Sequence, residues 1–381
     1  MNAANPNSPA PLGEDARRVQ RPSTDPFLFR PITLRGVTAR NRIMLAPLCE
    51  YSATDGVAND WHMVHLGARA IGGAGIICTE ATHVSAEGRI TPHCLGLWNE
   101  TQRDALARIV DFVVAQGATP AIQIGHAGRK ASVGRPWEGG GPLTPDQGGW
   151  QTIAPSAQPF TQAYPTPRAM TKADIARVTG EFVHSAKLAR QAGFQIAELH
   201  GAHGYLLHQF LSPLVNDRQD EYGGSLENRA RFLLEVVRAV RTEWPKELPL
   251  FVRLSCTDWV DGGLTGDESV ELCRMLAATG EVDLIDASTG GADPRQSIRA
   301  FPGYQVSYAE RIRREAGIAT GAVGMINTPD LAEEILANGR ADLIIMGRKL
   351  MADPHWPLKA AVALRAQAPW VPQYERAAPM A

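Results

Sequence analysis

Eight short runs of apolar and β-branched residues, at 42–47, 75–82, 119–124, 195–199, 249–255, 282–287, 318–323 and 341–346, constrain this chain more than any other feature. They are apolar almost throughout rather than at alternate positions, as parallel strands covered on both faces must be. Segments of helical period separate them at 61–71, 102–116, 172–191, 227–242, 267–278, 307–315 and 329–337, and one more follows at 356–366. One helix after each of eight strands predicts an α/β fold of the (β/α)8 barrel type, which keeps a single core even at 381 residues. An open doubly wound sheet accounts for the rhythm less well.

Two segments interrupt it. Residues 129–170, after the third strand, are dense in Gly, Pro and Trp and too long for an ordinary connection, so a capping loop over the barrel mouth is expected there. A second insertion, 201–226, follows the fourth strand. Residues 1–24 lack the apolar stretch of a signal peptide and read as a poorly ordered leader. The barrel is assigned to 25–367, and a tail, 368–381, is expected at a subunit interface.

Charge and cysteine content narrow the partners. With 38 Lys and Arg against 40 Asp and Glu, the net charge of −2 offers no footprint for nucleic acid or an anionic bilayer. No run approaches the length of a membrane span. Five scattered cysteines without a CxxC pair argue against a disulfide framework or a zinc or iron–sulfur site, and fit a reducing cytoplasm. A small-molecule partner and no metal are expected.

In such a barrel the chemistry collects at the C-terminal ends of the strands. The first strand runs into Pro47, Leu48, Cys49, Glu50 and Tyr51, the second ends at Glu80, Ala81 and Thr82, and the third carries Gln123. The fourth leads into His200, His203 and Tyr205, the fifth carries Arg253, and the sixth ends at Asp286-Ala287-Ser288. After the seventh come Gly324 and Met325 with Thr328-Pro329 as a helix start, and after the eighth Gly347-Arg348. Two glycines, a helix start and an arginine make a phosphate site, so a phosphorylated ligand is expected; the alternative is that the glycines only turn the chain.

His200 and His203 have three readings: a two-donor clamp on one oxygen, hydrogen-bonded packing, or metal ligands, the last weakened by the lack of a third ligand. Tyr205 could donate a proton to carbon or plug the mouth. Cys49 could be a packed thiol or a functional one. Lys130, after the third strand, keeps a Schiff-base aldolase open, and a phosphosugar isomerase or a barrel that only binds a ligand remain alternatives.

These stretches closely resemble the old yellow enzyme family of FMN-dependent ene-reductases. The resemblance rests on Asn41-Arg42-Ile43 with 47–51, on Gln123 to Lys130, on His200 to Leu206, on Asp220 to Arg229 and on Gly347-Arg348. Cys49, His203 and the terminal Gln373-Tyr374-Glu375-Arg376 are similar to the xenobiotic reductase and thermophilic-like subgroup, from which Leu48 and Ala377-Ala378 depart. The resemblance implies noncovalent FMN, with its phosphate near Gly324, Gly347 and Arg348 and its ring flanked by Pro47, Leu48, Cys49 and Ala81. Ser288 and Met325 complete that set, Gln123 takes the pyrimidine edge, and Arg253 faces N1. It further implies NADPH or NADH as hydride donor and an enone or nitroalkene as acceptor. Tyr51, His200 and His203 would hold the activating oxygen, Tyr205 would donate the proton, and Arg376 would reach the mouth of a partner subunit in a homodimer or homotetramer.

Overall fold

A computed structural model describes residues 25–378. Eight parallel strands close into a barrel: β1 (Ile43–Leu45), β2 (Ile76–His83), β3 (Thr119–Gly125), β4 (Ile196–Gly201), β5 (Leu250–Ser255), β6 (Leu284–Ser288), β7 (Ala319–Ala322) and β8 (Leu343–Met346). Each pairs with its neighbours in sequence, and β8 returns to β1 through Ile344 opposite Ile43. Eight helices cover the outside: α1 (Asp60–Ile71), α2 (Glu100–Ala115), α3 (Lys172–Gln191), α4 (Leu226–Arg241), α5 (Gly266–Ala278), α6 (Val306–Ala316), α7 (Pro329–Ala337) and α8 (Trp356–Ala363). The architecture is the expected (β/α)8 barrel. The helix starts are set locally: Asn59, Asn99, Thr171, Ser225, Thr265 and Thr328 each accept a backbone N–H of the turn they open.

Alternation along the strands divides the core. Ala197, Leu199, Val252, Leu254, Ile285 and Ala287 pack outward against the helices. Met44, Ile76, Ala121, Ile196, Phe251, Leu284, Leu343 and Ile345 form a separate cluster inside the barrel. A hairpin of Ile32–Leu34 and Val37–Ala39 closes the bottom, with Ile32 and Ala39 joining that inner cluster. The sequence reading missed this plug, whose strands are only three residues each.

Other differences bear on the site. The fourth strand runs two residues beyond 199, so His200 is a strand residue and not part of a loop. The insertion 201–226 contains a short helix, Leu206–Leu211, whose six residues are all buried and therefore show no amphipathic period. The insertion 129–170 holds three short 3-10 turns and one pair of two-residue strands, Ile153–Ala154 and Arg168–Ala169. The leader 1–24 and residues 379–381 lie outside the described residues. In the tail, Pro372–Ala377 forms a 3-10 helix. Tyr374 packs on His355 at 6.1 Å beside α8, on the outside of the barrel.

Candidate active site

Above the inner apolar cluster the same strands turn polar. Register places Ala81, Gln123 and Glu198 side by side on β2, β3 and β4. One step higher His200, Arg253 and Asp286 align on β4, β5 and β6. Gln123 Nε2 donates to Glu198 Oε1 at 2.8 Å, and Arg253 Nε stands 2.9 Å from Asp286 Oδ2. Burial, and then the negative charge of Asp286, pushes the Glu198 carboxyl up to about 8, and burial also raises that of Asp286. Sequence reasoning placed both acids at strand ends but gave neither a role, although carrying the inward alternation up from Ile196 and Leu284 points them into the barrel.

A cavity of about 400 Å³ opens over this layer, within the range of about 300–1,000 Å³ usual for cofactor pockets. Pro47, Leu48, Arg253, Ser288, Gly324, Met325, Gly347 and Arg348 line it, together with Tyr304, Gln305, Asn327 and Lys349, which the sequence did not single out. Cys49, Ala81 and Gln123 stand outside its lining; Gln123 is drawn down by Glu198 and is fully covered. Gly324 at φ +123 and Met325 at φ +54 turn the backbone at one end. A Cβ on Gly324 would come within 3.1 Å of Gln305 and Tyr304. A cation and small-residue turns at one end, with an arginine, a serine and an amide-bearing layer at the other, fit a phosphate and a flat heteroaromatic ring.

The histidines stand between this cavity and a smaller recess. His203 Nε2 is 2.8 Å from Ser288 Oγ, and its backbone N–H donates to Ser255 Oγ at 2.8 Å. The His200 ring lies 5.2 Å from that of His203 and 5.0 Å from that of Tyr205. Burial, and then the charge of Arg253, holds both imidazoles well below the usual histidine range, so each is neutral at pH 7 and carries one N–H. Burial followed by Cys49 keeps the Tyr205 phenol well above its ordinary value.

The recess, of about 230 Å³, is lined by Tyr51, Lys130, Tyr164 and Tyr205 among others, and the capping insertion supplies its outer wall. Tyr51, at φ +48, meets Trp137 of that insertion edge-on at 6.0 Å. Lys130 Nζ donates to the carbonyls of His203 at 2.9 Å and Gly291 at 3.2 Å. Burial, and then Arg129, brings Lys130 down to about 8. Burial, and then Cys94, raises the Cys49 thiol, so it is held neutral.

The turn after β4 is fastened from below. His208 Nδ1 accepts the Gly204 N–H at 2.8 Å, and His208 Nε2 faces Asp258 at 3.0 Å. His203 itself is left-handed at φ +58. It passes so close to Gly291 that a Cβ there would lie 2.5 Å from His203 Cα, while a Cβ on Gly204 would lie 2.0 Å from the Gly291 carbonyl. Arg376 is not brought to this mouth, because its segment runs on the outer side of α8.

Among the described residues, the side chains grouped closely enough to hold a metal are Glu87, His126 and Glu181, away from His200 and His203. Arg177 already fills that cluster, 2.6 Å from Glu87 and 2.5 Å from Glu181. His126 Nδ1 accepts the Gly128 N–H, which leaves the proton on Nε2.

Residues 27–367 match the model of the NADH:flavin oxidoreductase / NADH oxidase family. The chain belongs to this family, that of the old yellow enzymes. An NADPH dehydrogenase of Geobacillus sp. (strain WCH70) is 48% identical over 352 residues, 92% of this chain and 98% of the relative. That of Bacillus subtilis (strain 168) is 45% identical over 351 residues, again 92% and 98%. A solved structure of morphinone reductase in complex with tetrahydroNAD superposes with a TM-score of 0.74 at 28% identity, over 92% of this chain and 94% of that one. The protein is an FMN-dependent NAD(P)H oxidoreductase. The family assignment replaces the aldolase, isomerase and binding-only readings. No helix among the described residues is long and apolar enough to cross a membrane.

Proposed function

We propose that the protein is an ene-reductase, which reduces the C=C bond of α,β-unsaturated carbonyl or nitro compounds with NADPH or NADH by a ping-pong cycle. The observation that carries this reading is the compact trio of two neutral imidazoles and a neutral phenol, His200, His203 and Tyr205, between the cofactor cavity and the recess. FMN, when bound, would supply the hydride relay between the nicotinamide and the β-carbon of the acceptor. The phosphate is assigned to Arg348 and the turns at Gly324 and Gly347, the ring to Pro47, Leu48, Cys49, Ala81 and Met325, and its polar edge to Gln123, Arg253 and Ser288.

His200 and His203 each present one N–H to the carbonyl or nitro oxygen and draw negative charge toward it as the β-carbon is attacked. Ser288 orients the His203 ring, and the Lys130 ammonium, bonded to the His203 carbonyl, steadies its backbone. Tyr51 makes the third contact to the acceptor. Tyr205 then passes its phenolic proton to the α-carbon, and the saturated product leaves. The high proton affinity of the Tyr205 phenol keeps this proton in place until carbanionic charge develops.

We assign the tail to a homodimer or homotetramer in which Arg376 reaches the partner's mouth. This is supported by Tyr374, which stays 46% exposed with the chain alone. Cytoplasmic location is the reading that five cysteines, all free, favour.

Anaerobic stopped-flow with a cyclic enone tests the chemistry. Tyr205→Phe should slow flavin reoxidation by about 100-fold while leaving reduction by NADPH within about twofold of the parent. Reoxidation at the parent rate would remove Tyr205 from proton donation.

A further inference from the structure

The ionisable layer inside the barrel has an unequal charge count. Two carboxyls, Glu198 and Asp286, face a single guanidinium, Arg253, and both acids are fully covered. Glu198 Oε2 and both carboxylate oxygens of Asp286 have no hydrogen-bond partner, so Asp286 meets Arg253 as an ion pair. The groups that face Glu198 are Gln123 from β3, Arg253 from β5, Asp286 from β6 and the neutral thiol of Cys78 from β2. No second cation stands among them. Lys130, on the loop above, is committed to the carbonyls of His203 and Gly291.

Two carboxylates against one guanidinium would leave one negative charge uncompensated where water does not reach. One proton removes the excess. It belongs on Glu198, because Asp286 has the guanidinium at 2.9 Å whereas Glu198 has only the Gln123 amide at 2.8 Å. Burial and the neighbouring Asp286 hold that proton up to about pH 8.

We propose that Glu198 is a positioning residue for the cofactor: carried neutral, it holds the Gln123 amide in the floor beneath the cavity and leaves Arg253, which lines the cavity, to a single carboxylate and free to address the pyrimidine edge of FMN. This rests on the assignment of FMN to the cavity above. When Glu198 ionises, the layer beneath the ring becomes negative, Arg253 is shared between two carboxylates, and the cofactor is held less tightly. If FMN requires the neutral form, and Glu198 titrates at about 8, the dissociation constant rises about tenfold between pH 7 and pH 9.

The test is equilibrium dialysis of full-length holoenzyme at pH 7 and pH 9, with the dissociation constant read from released flavin. Titrations of the flavin itself are common to all variants, so the comparison isolates Glu198. The parent should lose about tenfold in affinity relative to Glu198→Gln, which cannot ionise and still accepts from Gln123. Asp286→Asn is the second variant, needed if the first does not fold. With one carboxyl left against one guanidinium, its affinity should also hold flat. Equal losses in the parent and in either folded variant would overturn the proposal. A parent that retains no FMN at either pH would overturn the cofactor assignment, and the role of Glu198 with it.

Discussion

The lower and upper halves of the barrel interior are built on the same strands and obey opposite rules. Below, Phe251, Ile196 and Leu284 meet as close-packed hydrocarbon, which stabilises the fold through area removed from water. Two residues further along each strand stand Arg253, Glu198 and Asp286, which gain nothing from burial and must be charge-matched or neutralised. The difference shows that β4, β5 and β6 are anchored at one end and carry stored electrostatic cost at the other. The site rests on a floor of packed hydrocarbon.

The largest expected effect comes from breaking the lower half alone. Phe251 is completely buried, and Phe251→Ala should cost about 3–5 kcal/mol of unfolding free energy, read from denaturant midpoints. If the halves are as distinct as described, the surviving folded fraction keeps FMN; loss of the flavin before unfolding would show that they are not.

A smaller effect follows from breaking the upper half without touching the lower. Arg348→Ala removes a charge-assisted contact to the cofactor phosphate and should weaken FMN retention by about 10–100-fold at unchanged melting temperature of the apoprotein. Equal flavin occupancy in mutant and parent after dialysis would take Arg348 out of the phosphate site. Smallest is the removal of a segment that belongs to neither half. Truncation after Pro369 should leave fold and flavin intact, lower the mass seen by light scattering, and raise the Michaelis constant for a cyclic enone about tenfold. Parent-like mass and kinetics together would return the tail to an inert terminus.

The same contrast explains what could be read from the sequence. The eight strands were legible because residues such as Ile76-Ile77-Cys78 and Leu343-Ile344-Ile345 are buried on both faces, and the helices because capping residues such as Thr328 precede amphipathic runs. The part played by the two acids was not legible. Their places at strand ends can be read, but only closure of the barrel shows that Glu198 and Asp286 face inward onto one arginine. The link from Ser288 to His203 was likewise hidden, since it joins residues 85 apart in sequence. Cys49, Ala81 and Gln123 were expected around the ring but stand outside the cavity lining; for Gln123 the cause is its bond to Glu198, 75 residues away in sequence.

The crossing of His203 with Gly291 bears on how this enzyme's acceptor range can change. On that side of the mouth the two backbones touch, and neither Gly204 nor Gly291 has room for a methyl group. Any side chain introduced there moves His203 before it reshapes the pocket. The recess is also lined by Tyr51, which Trp137 meets edge-on, and by Tyr164, rings that can be shortened one at a time. Substitutions that reshape the recess without displacing His203 therefore fall on the side of Tyr51 and Tyr164, and not at Gly204 or Gly291.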